Sequence, residues 1–220
     1  MHSFGQVFDS VYGIQYYSKY NPAEDGYKVR KFSDGTLCNN MIDDFYPDGK
    51  IIHKGFYTAG VLTEYINFYP DGRVERVFKP VTERKSELKK YYQNEALKSD
   101  VVYQEGNSSL WQDYYDNGQL SYVEEYDKKH QQVLRRCFYF RDGKPESIFV
   151  PLVPQLKDGL IRYSFKEYFS NGQLKEESTS VYSPDSYDFI KDGDSKQYDE
   201  KGNIVAEYIY VGGRINQTIK

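Results

Sequence analysis

One short phrase recurs along this chain at nearly constant spacing and limits the folds open to it. It consists of two aromatic residues, a spacer, an Asp-Gly or Asn-Gly pair, and an aliphatic residue two positions after the glycine, as in "FYPDGRV" (68–74) and "YYDNGQL" (114–120). Gly49 and Gly72 lie 23 residues apart, and two further steps of 23 residues reach Glu95 and Gly118. A fixed period of this length is typical of a repeat architecture.

The repeat continues where its glycine is lost. Around Glu95, the stretch "YYQNEAL" (91–97) keeps both aromatics, the Asn and the Leu. The turn framework predicted from the glycine column is Gly35, Gly49, Gly72, Gly118, Gly143, Gly172 and Gly202. The aromatics expected to pack between hairpins, as the core of the repeat, are Tyr46, Tyr69, Tyr92, Trp111, Tyr115, Phe140 and Phe169.

The phrase has a direct physical reading as a hairpin. Asp-Gly and Asn-Gly are favoured at the centre of type I′ turns, which require positive φ, and weaker turn signals such as Gly60 fall between the anchors. The 24 Tyr and 13 Phe residues also favour strands. The sequence therefore predicts an all-β fold, an antiparallel meander of stacked β-hairpins in 23-residue repeats that forms one elongated twisted sheet.

Three stretches depart from the period. Residues 82–98 fit either a strand or an amphipathic helix; the repeat phase favours a strand, with an irregular or helical entry at 82–90. Residues 145–157 and 178–191 are interpreted as insertions, and insertions in repeat arrays often form binding loops.

No linker-like composition divides the chain, so a single repeat domain over 1–220 is expected. It comprises an atypical N-terminal cap (1–30), the hairpin repeats (31–210) and a C-terminal tail (211–220).

No catalytic or metal-binding pattern emerges. His2, His53 and His130 are scattered outside any metal-ligand motif and are expected at the surface or in turns. Cys38 and Cys137 stand far apart, which indicates small hydrophobic residues in a reducing compartment rather than a disulfide framework. The prediction is a protein that is not an enzyme, with no catalytic residue, no metal and no cofactor.

Charge and hydropathy argue against two classes of partner, nucleic acid and the membrane interior. The net charge of −4 comes without a basic stripe, so nucleic acid is not an expected ligand. No stretch approaches the ~18–20 apolar residues of a membrane-spanning helix, so membrane insertion is not expected either. The first residues lack the pattern of a signal peptide, which favours the cytoplasm; the periplasm or secretion is the alternative if a leader precedes the given chain.

Candidate partner-binding residues lie in the second insertion: Tyr182, Asp185, Tyr187 and Asp188. Tyrosine beside Asp and Ser is typical of binding loops, in which rigid aromatic anchors are surrounded by adaptable polar groups.

Two copies of the phrase, "WQDYYDNGQLSYVEEY" (111–126) and "YFSNGQLKEES" (168–178), resemble the MORN-variant repeat of the YwqK-type antitoxin family. The pattern is matched in the first copy by Trp111, Tyr114, Tyr115, Asn117, Gly118, Leu120 and Glu124. It is matched in the second copy by Tyr168, Phe169, Asn171, Gly172, Leu174 and Glu177. The resemblance covers most of residues 31–210; Glu95 in place of a glycine and the single tryptophan depart from it.

The resemblance implies a stack of hairpins that binds proteins. It further implies an antitoxin or immunity protein that neutralises a cognate bacterial polymorphic toxin by occluding it. The alternative is a structural or scaffolding repeat protein, in the envelope or self-assembling, with no toxin partner. Unpaired strands at the ends of such a sheet also allow edge-to-edge self-association.

Overall fold

The computed structural model describes Arg30 and residues 35–130, 132–152, 161–183 and 188–220, together with the backbone of two short N-terminal strands. Within these residues every extended regular element is a β-strand. The N-terminal pair is β1 (Val7–Asp9) and β2 (Ile14–Tyr16). The first half of the repeat array comprises β3 (Asn40–Phe45), β4 (Ile51–Thr58), β5 (Val61–Phe68), β6 (Val74–Thr82), β7 (Lys85–Tyr91), β8 (Leu97–Gln104) and β9 (Asn107–Tyr114). The second half comprises β10 (Leu120–Tyr126), β11 (Val133–Tyr139), β12 (Pro145–Pro151), β13 (Arg162–Tyr168), β14 (Leu174–Ser183), β15 (Asp188–Tyr198), β16 (Ile204–Val211) and β17 (Arg214–Thr218).

Strands β3 to β17 follow one another in chain order within a 15-stranded antiparallel sheet. The predicted all-β meander of hairpins is therefore confirmed. The chain divides into two compact units, Met1–Ser109 (unit 1) and Leu110–Lys220 (unit 2), which are described separately.

The sequence columns on either side of each turn prove to be strand partners. The aromatic residue four positions before the anchor lies opposite the residue two positions after it, so the last pair before the turn is aromatic against apolar. These pairs are Phe45–Ile51, Phe68–Val74, Tyr91–Leu97, Tyr114–Leu120, Tyr139–Pro145, Tyr168–Leu174 and Tyr198–Ile204. Aromatic–aliphatic cross-strand pairs contribute about 0.2–1 kcal/mol each, so the repeated letters encode repeated hairpin ends.

A register shift follows each of these pairs. In the first hairpin Phe45 pairs with Ile51, whereas Asp44 pairs with His53, which leaves Ile52 as the extra residue. A β-bulge of this kind bends the strand and increases its twist. Its recurrence beside all seven of these hairpin ends shows that the bulge is part of the repeat.

The anchor turns are not the type I′ turns that we predicted. In the first one the Gly49 amide donates to the Tyr46 carbonyl at 2.9 Å, and the Tyr46 amide donates to the Lys50 carbonyl at 2.8 Å. Gly49 has a φ of 84°, while Asp48 is not among the residues with positive φ. This is a type I turn followed by a left-handed residue. The Asp48 Oδ1 accepts a hydrogen bond from the Lys50 amide at 3.1 Å, which is why Asp or Asn precedes the glycine.

Turns with two consecutive positive-φ residues occur at the opposite ends of the strands. Ala59 and Gly60 have φ of 49° and 79°, and the Thr58–Val61 pair closes a two-residue loop around them. Glu105 and Gly106 have φ of 52° and 84°. These two turns therefore differ in backbone conformation from the anchor turns.

The expected irregular or helical entry at 82–90 is wrong. Strand β6 continues to Thr82, a two-residue turn follows, and β7 begins at Lys85. The Thr82 Oγ1 accepts hydrogen bonds from the amides of Arg84 and Lys85 at 3.3 and 3.1 Å, so it stabilises a hairpin turn instead of a helix N-terminus.

The insertions are also mostly strand. Residues 145–151 form β12, and most of 178–191 lengthens β14 and β15. Residues 153–160 and 184–187 lie outside the described part. The segment expected to be a C-terminal tail, 211–220, contains β17, which pairs with β16. The N-terminal cap lies outside the described residues, apart from Arg30 and the backbone of β1 and β2.

The core of unit 1 is a row of side chains on neighbouring strands. Tyr65, Phe78, Leu88 and Val101 lie directly opposite one another across β5 to β8, and all four are buried. The rings of Tyr65 and Phe78 stack with centroids 5.6 Å apart. In unit 2 the buried apolar residues include Val123, Val133, Cys137, Tyr163, Val181 and Ala206. Both cysteines are free, which agrees with the expectation of no disulfide framework, and both are buried.

His53 contradicts the expectation of a surface or turn histidine, because only 2% of it is exposed. Its Nδ1 lies 2.6 Å from Asn67 Oδ1, and its Nε2 lies 3.0 Å from the Tyr57 hydroxyl, which also accepts a hydrogen bond from Arg30 at 3.2 Å. Arg30 in turn forms an ion pair with Asp44. His130 lies in a turn, as expected, and stacks on Tyr126 at 4.0 Å. His2 lies outside the described residues.

Candidate protein-binding surface

One face of unit 2 brings charged and aromatic side chains together. Directly opposite residues in an antiparallel sheet share a face, and the register aligns Glu124, Arg136, Phe149 and Phe165 across β10 to β13. We call this region the Arg136 surface. It is formed by Glu124, Arg136, Phe149, Phe165, Tyr182, Asp188 and Phe189.

The sheet curves around this surface. Strands β12 and β15 are three steps apart in the strand order, a distance of about 14 Å on a flat sheet. The rings of Phe149 and Phe189 nevertheless stack with centroids 4.6 Å apart. Phe189 also contacts Tyr163 at 4.7 Å and Tyr182 at 5.5 Å. The aromatic cluster therefore lines a concave face of unit 2.

Arg136 joins the two ends of this face. Its Nε donates to Glu124 Oε1 at 2.7 Å, and a terminal nitrogen lies 3.3 Å from Asp188 Oδ1, 52 residues further along the chain. Its guanidinium group lies 4.9 Å from the centre of the Phe189 ring. Glu124 is buried, whereas the Asp188 side chain remains 69% exposed. The Glu124 charge is thus neutralised inside the protein, and the Asp188 carboxylate is presented to solvent.

A second buried carboxylate on the same face is also engaged. Glu176 forms an ion pair with Lys191 and accepts a hydrogen bond from the Ser195 hydroxyl at 3.3 Å. Lys191 further lies 5.2 Å from the centre of the Tyr210 ring. Because removing one partner from a buried ion pair leaves an uncompensated charge, Glu124–Arg136 and Glu176–Lys191 fix the arrangement of this face.

Tyrosine hydroxyls on this face stay protonated well above neutral pH. Burial, followed by the nearby Glu124 carboxylate, raises the pKa of Tyr122 and Tyr126. Burial also raises the pKa of Tyr163 to about 12. These hydroxyls therefore act as neutral hydrogen-bonding groups in any contact that the face makes.

The predicted partner-binding residues map to this face in part. Tyr182 lies in β14 with its ring near that of Phe189. Asp188 is the first residue of β15 and lies beside Arg136. Asp185 and Tyr187 lie outside the described residues. No sequence pattern indicates that Arg136 and Phe189 lie together, because their proximity depends on curvature between distant strands. The alternation of "YVEEY" did place Glu124 and Glu125 on opposite faces.

The predicted framework glycines lie in the turns at the ends of the strands. All seven predicted turn glycines have positive φ. The seven predicted core aromatics are half-buried and absent from the fully buried core, so their description as core residues needs correction. The Trp111 indole N–H donates to Asp113 Oδ1 at 2.9 Å.

The described residues offer neither a metal site nor a membrane-spanning helix. They contain no group of three or more His, Cys, Asp or Glu side chains placed to hold a metal ion. They also contain no helix long and apolar enough to cross a membrane.

Comparison with known families identifies the repeat. Residues 109–128, 164–181 and 191–211 match the MORN repeat variant, and all three segments fall wholly or almost wholly within unit 2. Repeats of this kind generally bind proteins or membranes. No curated protein matches the chain.

Proposed function

We propose that this chain is a non-catalytic protein-binding repeat protein of the cytoplasm, an antitoxin or immunity protein that neutralises a cognate bacterial toxin by covering it. The Arg136 surface is the contact region. The framework turns and hairpin ends hold it in shape and do not themselves select the partner.

The observation that carries this proposal is the composition of the concave face of unit 2. Arg and Tyr are enriched at the energetically dominant positions of protein interfaces, and half-buried rings such as Phe189 and Tyr182 lose little conformational entropy on binding. The ion pair between Arg136 and Glu124 fixes the centre of this face before a partner arrives. Preorganisation of this kind lowers the cost of association.

The exposed Asp188 carboxylate gives the face a chemical preference. A toxin that handles nucleic acid or another anion carries basic residues around its active cleft. The acidic, tyrosine-lined face matches the basic residues around such a cleft in charge, so inhibition follows from covering them, without any reaction. A standard interface of about 1,600 Å² needs roughly 20–30 residues a side, which a multi-strand sheet face provides.

The test is co-expression with a toxin domain encoded beside this gene. We expect the wild-type protein to restore growth and to be recovered with the toxin domain in a pull-down. Asp188→Lys reverses the exposed charge and is expected to abolish both. The matched control is Asp194→Lys, an exposed aspartate on the same strand, which is expected to protect like wild type. Failure of the wild-type protein to protect, or equal protection by both variants, would overturn the proposal.

A second candidate is a self-assembling scaffold. It is favoured by β17, an outermost strand of the sheet whose residues are all exposed, Ile215 among them. Static light scattering over a range of concentrations distinguishes the two functions. A monomer that binds the toxin domain supports the antitoxin, and concentration-dependent oligomers that ignore it support the scaffold.

A further inference from the structure

A cleft of about 590 Å³ opens on unit 1 at the ends of β6, β7 and β8, away from the anchor turns. Phe78, which is buried, and Tyr103 line it, with ring centroids 6.5 Å apart and planes inclined at 62°. Its volume lies within the range of about 300–1,000 Å³ typical of ligand sites. We call it the Phe78 cleft.

The cleft lies where one repeat lacks a ring that its neighbours have. Thr63, Pro80 and Ser86 line it on three neighbouring strands. Pro80 stands eight positions after its anchor glycine, a column that holds Tyr57 and Tyr103 in the hairpins on either side. Where a tyrosine side chain would extend from the strand, proline leaves open space. A tyrosine at position 80, as in the neighbouring repeats, is therefore expected to fill the cleft.

The polar groups at the cleft are unequally satisfied. Arg84 pairs with Glu105 at 3.3 Å, and Lys85 pairs with Glu87 at 3.4 Å, so both cations near the cleft are neutralised. By contrast, the Glu83 carboxylate has no ion-pair or hydrogen-bond partner within the described part of the chain. The Tyr103 hydroxyl likewise makes no hydrogen bond to any described residue. The charged group of the cleft that is left without a partner is therefore the Glu83 carboxylate, which lines the same cleft as the two aromatic rings.

We propose that the Phe78 cleft binds an arginine-bearing segment of a protein partner. The guanidinium plane packs against Phe78 and Tyr103 while its N–H groups reach the Glu83 carboxylate. Arginine suits this site because it is planar, always charged and weakly hydrated, and its N–H groups match a carboxylate. The inference rests on the proposed function only in that the partner is a protein, and it adds a contact region in unit 1.

The test is an NMR titration of the full-length, isotope-labelled protein with a capped hexa-arginine peptide, compared with capped hexalysine. We expect saturable shifts at Tyr103 and Ser86, and tighter binding of hexa-arginine. Glu83→Gln is expected to weaken hexa-arginine binding about tenfold, as the loss of a charge-assisted hydrogen bond implies. Pro80→Tyr fills the cleft at constant charge and is expected to abolish binding.

The control for charge is Glu64→Gln. Glu64 is exposed on β5 and adjacent in sequence to the cleft residue Thr63, so the variant changes net charge by the same amount on the opposite face of the strand. We expect it to bind hexa-arginine like wild type. Equal weakening by Glu83→Gln and Glu64→Gln would mean that hexa-arginine responds only to the net charge of the protein, which would overturn the proposal.

A second filling variant, Ser86→Tyr, covers the case in which Pro80→Tyr fails to fold, and a thermal melt identifies the folded one. Unchanged hexa-arginine binding by a folded filling variant, or no saturable binding by wild type, would also overturn the proposal. The titration uses no toxin domain. The co-expression assay can therefore fail while the cleft binds arginine, and the cleft can fail while the protein still protects.

Discussion

The hydroxyl of Tyr115 donates a hydrogen bond of 2.8 Å to the backbone carbonyl of Tyr139, 24 residues further along the chain. Tyr46 makes the same bond to the Phe68 carbonyl at 2.8 Å. In the next repeat, Tyr69 bonds to the Tyr91 carbonyl at 2.7 Å. The tyrosine that begins each of these anchor turns therefore ties its hairpin to the end of the next one.

This bond predicts a graded loss of stability at Tyr115. Tyr115→Phe removes only the hydroxyl and is expected to cost about 0.5–1.5 kcal/mol. Tyr115→Ala also removes a half-buried ring and is expected to cost more, about 2–4 kcal/mol, somewhat below the range for fully buried aromatics. Chemical denaturation followed by the fluorescence of Trp111 gives both values. Equal costs for the two variants would mean that the ring contributes nothing.

Phe140→Tyr is the matched control, because Phe140 holds the same turn position without a hydroxyl. Adding the oxygen supplies the bond to the carbonyl at the end of the following hairpin. A neutral or small stabilising effect is expected, whereas a clear loss of stability would show that this column is packed too tightly to accept the group.

The anchor glycine makes a separate prediction at Gly118. Its φ is 82°, and an added Cβ would meet no atom within 4 Å, so a substitution there is limited by backbone strain and not by crowding. Gly118→Val is expected to lower the free energy of unfolding by about 2 kcal/mol or more, because β-branched residues are poorly tolerated at positive φ. Gly118→Asn is the milder comparison. An unchanged melting temperature for the valine variant would contradict the turn geometry.

The position that lacks the glycine gives the reverse prediction. Glu95 has a φ of 67°, and its amide donates to the Tyr92 carbonyl at 2.9 Å, so the turn has kept the geometry of its neighbours. Glu95→Gly is expected to be neutral or to stabilise by up to about 1 kcal/mol, since relief of the Cβ penalty outweighs the extra freedom of the unfolded chain. Differential scanning calorimetry measures the change. Marked destabilisation would indicate that the Glu95 side chain has a role of its own.

Buried His53 makes unit 1 sensitive to acid. Burial lowers the pKa of His53, and the hydrogen bond to Asn67 and the charges of Asp44, Arg30 and Asp43 modify that effect. The unfolded chain therefore takes up this proton near the ordinary value of about 6.5, before the folded protein does. The stability linked to His53 is fully present above that pH and is lost as the pH falls through and below it.

The stability of unit 1 is measured between pH 7.5 and about 5 from the hydrogen exchange of the β4 and β5 amides. We expect His53→Gln to flatten the fall in stability seen with wild type. His130→Gln is the control and is expected to keep the wild-type slope. A slope that survives in His53→Gln would assign the acid sensitivity to another group.

The hairpin architecture could be predicted from the sequence because the repeated positions are contacts. The aromatic four positions before each anchor and the apolar residue two positions after it turned out to be strand partners, so the columns are contacts. The turn type could not be predicted in the same way, because a type I′ turn and a type I turn followed by a left-handed residue both favour glycine at this position. Pro47, which favours the second position of a type I turn, was the available signal.

The Arg136 surface was beyond sequence reasoning. Asp188 and Arg136 meet across four strand steps, and their contact depends on sheet curvature that no local pattern encodes. The tyrosine, serine and aspartate composition of residues 178–191 predicts a binding segment that includes Tyr182 and Asp188, and this remains a prediction. It did not predict that strands would occupy most of it.

The central claim is that framework and binding residues are separate, and one paired measurement tests it directly. The melting temperature and the dissociation constant for the proposed partner, a toxin domain encoded beside this gene, are measured for wild type, Tyr115→Ala and Asp188→Lys. We predict that Tyr115→Ala lowers the melting temperature while the folded protein keeps its affinity. Asp188→Lys is predicted to keep the melting temperature nearly unchanged, since exposed ion pairs contribute about 0–1 kcal/mol, and to weaken binding at least tenfold. Wild-type affinity in Asp188→Lys, or weakened binding by folded Tyr115→Ala alone, would contradict the account.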